Sequence, residues 1–313
     1  MTRILGIDTS NYTTSCALWQ DGVILQKKKL LPVRPGQLGL RQSDAVFHHT
    51  QQLPELLEEL FRESPGPFSA IGVSTRPRSQ DGSYMPCFTV GHGTARSLAA
   101  AFGVPCRIFS HQDGHIAAAL YSGDRLDWIG KEFLAFHVSG GTTEAVLVRP
   151  RAEGGFSADL LASSLDLKAG QAIDRVGVML GLPFPAGRAL EELALRSSAT
   201  FRIRPSMKGA SCSLSGIENK CRNMVERGTP PEDIALFCLL SVEAALDAMA
   251  AALLQERPSL PLLFAGGVMS NSILRRDLTK KYGATFAEPA FSSDNAAGVA
   301  VLAALAEQKG GTA

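Results

Sequence analysis

His111-Gln112-Asp113-Gly114-His115 is the stretch of this chain whose residue types and spacing point most directly to chemistry. Imidazoles at i and i+4 stand one turn apart on one face of a helix, the spacing of two ligands to a single divalent metal. Gln112 occupies the place of the general base in H-E-x-x-H, so the motif does not carry the machinery of a zinc peptidase. The same spacing also suits two hydrogen-bonded histidines. A ligand role gains weight because the pair follows a strand end, where open α/β sheets place their ligands. Two glycine turns add a second chemistry. Val138-Ser139-Gly140-Gly141-Thr142 lets backbone N–H groups approach a phosphate. Ala265-Gly266-Gly267 lets a flat base or ribose come close, with Asn271 either a helix cap or a ligand contact. Each turn alone also reads as an ordinary tight turn. Asp8, Asp174 and Asp294 are the carboxylates expected at a cleft, although each could simply be a charge favoured at a helix N-terminus.

The elements that must position these residues form two similar series. Apolar runs predict strands over 3–8, 13–19, 23–27, 70–74 and 106–109, with helices over 43–62, kinked at Pro54, and 93–102. From residue 133 the opening pattern returns as a strand over 133–137, a turn over 138–141 and a strand over 142–147. A shift of 129 carries Thr13-Thr14 onto Thr142-Thr143, Ser10 onto Ser139 and Leu18 onto Leu147, an internal duplication. Helices follow over 171–180, 187–196, 215–227 and 230–256, then a strand over 261–264, a helix over 271–281 and a last helix from near Asp294. The expected fold is α/β: an actin-like (ASKHA) two-lobed architecture with duplicated strand-hairpin lobes and ligand held in the cleft between them. The expected division is a first lobe over 1–129, a second over 130–293 and a terminal helix over 294–313 returning to the first.

Composition excludes several classes. The chain has 313 residues, 45% apolar and 19% charged, which suits two cores and rules out a disordered protein. Thirty-one basic and 30 acidic residues leave a net charge of +1, so nucleic-acid binding has no global signature. Local clusters remain at Lys27–Lys29, Arg76/Arg78, Arg202/Arg204/Lys208 and Arg275/Arg276/Lys280/Lys281, either solvated surface or contacts to RNA phosphates. Six cysteines without a C-x-x-C pair read as reduced thiols. The longest apolar run, 244–254, is broken by Asp247 and too short for a bilayer. A cytoplasmic protein with no membrane partner is expected.

Taken in order, His111-x-x-x-His115, Ser139-Gly140-Gly141, the 169–175 run AGQAIDR, the 180–187 run LGLPFPAG, the 212–216 run CSLSG, Ala265-Gly266-Gly267 with Asn271, and Ser293-Asp294-Asn295 resemble one family. It is the threonylcarbamoyl-adenosine tRNA-modification transferases, formerly called O-sialoglycoprotein endopeptidases or glycoproteases, and the likeness spans nearly the whole chain. The resemblance implies a transferase that binds an acyl-adenylate (threonylcarbamoyl- or carbamoyl-AMP) and passes the acyl group to a tRNA adenosine or another acceptor. It implies one divalent metal, iron or zinc, held by His111, His115 and Asp294. It implies an adenylate or ATP-type ligand against His137, Val138, Ser139, Gly140 and Gly141, with Asp174, Gly187 and Asn271 contacting the rest. It implies as partners tRNA and either a homologous actin-like subunit or a second copy of the chain.

The departures from the family pattern are specific. Tyr12-Thr13 replaces an acidic pair, Thr142 replaces the histidine of Ser-Gly-Gly-His while His137 stands five residues earlier, the 76–82 run RPRSQDG replaces a Gly-Pro-Gly-Leu turn, and Leu167-Lys168 replaces Asp-Asp. They mark a divergent paralogue. Its competing readings are a catalytically reduced partner or dimerisation protein, a metallopeptidase and an actin-like kinase. Metal content, peptide cleavage and steady ATP turnover, respectively, separate these from a transferase.

Overall fold

All six residues of β1 (Arg3–Asp8) are buried, because both faces of its sheet are covered. The computed structural model describes residues 2–10, 12–32, 40–80, 82–152, 155–292 and 296–310, with residues 309 and 310 described by backbone alone. The chain forms two compact units, one of Met1–Gly130, Pro150–Ser157 and Ala290–Ala313, the other of Lys131–Arg149 and Ala158–Pro289.

In the first unit β1 is followed by β2 (Thr13–Gln20), β3 (Val23–Leu30), α1 (Gln42–Glu63), β4 (Ala70–Arg76), α2 (Phe88–Phe102), β5 (Cys106–Ser110) and α3 (His111–Ser122). The sheet order is β3-β2-β1-β4-β5, with β1–β2–β3 antiparallel and β1–β4–β5 parallel. Leu5, Ile7, Ile71 and Val73 pack on one face with Leu53, Leu57 and Leu60 of α1 and Ala95 and Ala99 of α2. Ile4 and Ala70 point the opposite way, as period-two alternation requires, onto Ala300, Val301, Ala303 and Ala304 of the C-terminal helix, Ala297–Gly310. That helix lies close to α3, where a Cβ on Gly298 would strike the Gly114 carbonyl oxygen. Helix α1 runs unbroken through Pro54, whose lost bond to the Thr50 carbonyl falls on the exposed side, and α2 starts five residues before the predicted 93.

The second unit contains β6 (Phe133–Val138), β7 (Thr143–Pro150), β8 (Phe156–Ser163), α4 (Ala169–Met179), α5 (Gly187–Ala194), β9 (Ser206–Lys208), β10 (Ser211–Ser213), α6 (Ser215–Glu226), α7 (Pro231–Glu256), β11 (Leu262–Ala265), α8 (Ser272–Tyr282) and β12 (Thr285–Phe286); the C-terminal helix is α9. Its sheet order, β12-β11-β6-β7-β8, repeats the first. The two hairpin registers are related by the offset of 129: Asp8 opposite Ser15 becomes His137 opposite Glu144. Phe136, Phe264 and Phe286 stack across β6, β11 and β12 with centroids 4.6 and 5.2 Å apart. Helix α7 is long and apolar enough to cross a membrane, but Leu239, Val242, Leu246, Met249 and Leu253 are buried in this core. The sequence reading puts 150–157 in the second lobe, whereas they fold with the first unit. There the Phe156 N–H donates to Asp113 Oδ1 and the Arg151 guanidinium to the Ser79 carbonyl.

Candidate functional site

The first unit builds its site on the first turn of α3. Ser110 caps that turn: its hydroxyl accepts the Asp113 N–H at 3.1 Å, and Asp113 Oδ2 accepts the Ser110 N–H at 3.0 Å. Ser79 donates its hydroxyl to the same carboxylate at 2.9 Å. So anchored, the turn brings His111 Nε2 and His115 Nε2 to 2.9 Å of each other, with ring centroids 4.3 Å apart. Asp8, at the end of β1, reaches the other side of His111, its Oδ2 lying 2.9 Å from Nδ1. Asp8 Oδ1 accepts the Ser10 N–H at 2.9 Å. Burial pushes the Asp8 carboxyl up, but His111, Ser10 and Ser74 together outweigh it and hold it below its ordinary value. Among the described residues no three such side chains form a metal cage, and Asp294, the third expected ligand, lies outside them. The two facing imidazole nitrogens are a donor set that fits a borderline divalent ion such as zinc or iron.

The second unit builds a different cradle. At the end of β6 the Ser139 N–H donates to the Thr142 carbonyl at 2.7 Å, while Ser139 Oγ accepts from the amides of Gly141 and Thr142 at 3.3 and 3.1 Å. Two other glycines hold this loop from behind. A Cβ on Gly170 would sit 2.7 Å from Gly140 Cα, and one on Gly266, at φ +102°, would strike the Val138 carbonyl. Gly140, Gly141 and Gly267 have open space where their side chains would be. Among the described residues the Gly140 amide has no acceptor. The sequence reading gives Gly266 to base or ribose approach; its packing on Val138 accounts for it instead, and Gly267 alone keeps the open face.

The remaining predicted residues divide by what already occupies them. Asp174 on α4 spends Oδ1 on the Ala186 N–H at 2.8 Å and lines a cavity of about 500 Å³ with Arg175, Phe184, Glu218 and Arg222. Gly187 opens α5 with free space at its Cα. Asn271 is the cap of α8, Oδ1 accepting from Ile273 and Leu274 at 3.1 and 3.2 Å, so its NH₂ alone is left for a ligand. His137 lies opposite Glu144 on β7 rather than across from Thr142. Two organising carboxylates went unread: Asp113, signalled by the Ser110-x-x-Asp113 spacing, and Asp166, which accepts from the Leu214 and Ser215 amides at the start of α6. Nothing in the sequence near Asp166 marks a contact 48 residues away.

Comparison with known proteins places these features in context. The model of the family described as TsaD, tRNA N6-adenosine threonylcarbamoyltransferase, matches residues 34–301. The tRNA N6-adenosine threonylcarbamoyltransferase of Bacillus subtilis (strain 168) is 30% identical over 332 residues, covering 98% of this chain and 91% of its own. HypF from T. kodakarensis aligns at a TM-score of 0.61 and 12% identity over 99% of this chain and 48% of its own. Component A of (R)-2-hydroxyglutaryl-CoA dehydratase from Acidaminococcus fermentans aligns at 0.54 and 16% identity over 98% and 100%. The two structural likenesses speak to the fold alone, an actin-like α/β architecture with duplicated hairpin sheets.

Proposed function

This chain belongs to the tRNA N6-adenosine threonylcarbamoyltransferase family, whose members are tRNA-modifying transferases, and from that membership we propose a divergent acyltransferase that binds an acyl-adenylate and one divalent metal. The observation that supports the reading is the Ser139–Thr142 loop, packed against Gly170 and Gly266, with open space at Gly140 and Gly141 and, among the described residues, no acceptor for the Gly140 amide. That amide donates to a phosphate oxygen of the adenylate. The second oxygen of Asp174 accepts a hydroxyl or amino group of the ligand, and the Asn271 NH₂ donates to it. One iron or zinc ion held by His111 and His115, with Asp294, would supply Lewis-acid chemistry. The proposed acceptor is tRNA, and the proposed location the cytoplasm.

Tyr12-Thr13 and Thr142 stand where the family carries two carboxylates and an imidazole, so transfer to the family's acceptor is proposed to be slow. Losing positioned acid–base groups typically costs 10²–10⁴-fold each. Metal analysis and mass spectrometry of ligands carried through purification test the binding half. One divalent metal per chain and a co-purifying adenylate are expected, and His111→Ala/His115→Ala should lose the metal with its circular dichroism intact. Metal retained undiminished in that variant overturns the assignment.

A further inference from the structure

We infer that Asp8 is a positioning residue that fixes His111 as the tautomer whose bare Nε2 faces the metal; this rests on the metal reading above. Asp8 is 1% exposed and oriented from both sides, Oδ1 by the Ser10 amide and Oδ2 by His111 Nδ1, each at 2.9 Å. An ionised carboxylate can only accept, so the proton of this contact belongs to Nδ1. A neutral imidazole carries one N–H, and with Nδ1 protonated the lone pair is left on Nε2. That atom is the one directed at His115 Nε2, 2.9 Å away, and the inferred tautomer makes His115 the donor of that second contact. The arrangement is the outer-shell carboxylate–histidine pairing that orients a metal-binding ring and raises its basicity.

The fold itself does not require an acid at this place. The register offset of 129 makes His137 the counterpart of Asp8, so the same strand end in the second unit forms without a carboxylate. The buried acid is therefore particular to the unit that carries the histidine pair. Nor does the helix need it, since Ser110 and Asp113 already satisfy the cap of α3.

Two measurements on the full chain test the inference. The first is the long-range ¹⁵N–¹H spectrum of ¹⁵N-histidine-labelled, chelator-treated wild type at pH 8, with His111→Ala for assignment. It should show His111 protonated at Nδ1, which establishes the tautomer; the metal affinity of Asp8→Asn then separates a positioning role from a merely structural one. The second is competitive titration with Co²⁺, followed by its visible ligand-field band, for wild type and Asp8→Asn. Affinity should fall ten- to a hundredfold in Asp8→Asn, with Asp8→Glu recovering part of the loss. His111 found protonated at Nε2 overturns the inference, as does an unchanged Co²⁺ affinity in a folded Asp8→Asn. If Asp8→Asn does not fold, the wild-type tautomer decides. A wild type that takes up no Co²⁺ refutes the metal reading itself, and Asp8 then has nothing to position.

Discussion

Gly140 and Gly170 are both glycines beside one loop, yet they answer to different demands. Gly140 faces open space, whereas a Cβ on Gly170 would sit 2.7 Å from the Gly140 backbone. Gly140→Val should therefore fold and weaken AMP or ATP binding at least tenfold, about 1.4 kcal/mol, in a calorimetric titration. Gly170→Val should lower the melting temperature, since overpacking of this kind costs roughly 1–3 kcal/mol. Equal nucleotide affinity in Gly140→Val would remove the loop from the site. The residues carrying chemistry were readable where local spacing shows them: the i, i+4 imidazoles do converge, at 2.9 Å. What spacing could not show is which groups the fold had already engaged. The Asn271 oxygen is taken by the cap of α8, one of the two roles its place in the sequence allows, whereas Gly266 is required by Val138, a long-range contact invisible to a residue string.

Helix α3 is the element on which the metal reading depends, and its first turn is held largely by one carboxylate. Asp113 accepts from the Ser110 and Phe156 amides and the Ser79 hydroxyl, so Asp113→Ala leaves three donors without their acceptor. The expected loss is about 2–4 kcal/mol, against about 1 kcal/mol for Ser110→Ala, which removes only the cap. Chemical denaturation compares them, and equal midpoints for the two variants would contradict the ranking. The duplicated hairpins were legible because Ser10 and Thr13-Thr14 recur at the same offset that relates the two pairing registers. Strands β9 and β10 were not, being three residues each, too short for alternation to register. The early start of α2 was hidden by Gly91 and Gly93, which weaken a helical pattern that tertiary packing of Phe88 and Ala95 restores.

At the scale of the whole molecule, stability should depend on pH through two groups of opposite sign. Burial pushes the His49 imidazole down to about 4 against the pull of Asp8, so the unfolded chain binds the extra proton between pH 6.5 and 4. Stability is full above 6.5 and lost as pH falls through 4, by roughly 3 kcal/mol for this group. Burial, with Asp247 and Asp277 nearby, pushes Glu243 up to about 7, so the folded chain holds that proton and stability is lost as pH rises from 4.5 through 7. Urea midpoints across pH 4–8 should accordingly steepen in Glu243→Gln, and an unchanged profile would contradict this balance. The central claim is that the chain keeps the family's donor and metal sites while its altered acid–base groups have changed the transfer step, and a reconstituted reaction tests it most directly. The metal-loaded protein alone is given threonylcarbamoyl-AMP and unmodified tRNA, and modified adenosine is measured beside the Bacillus subtilis relative under the same conditions. The account predicts donor binding with transfer at least a hundredfold slower than the relative's; transfer at the relative's rate would contradict it.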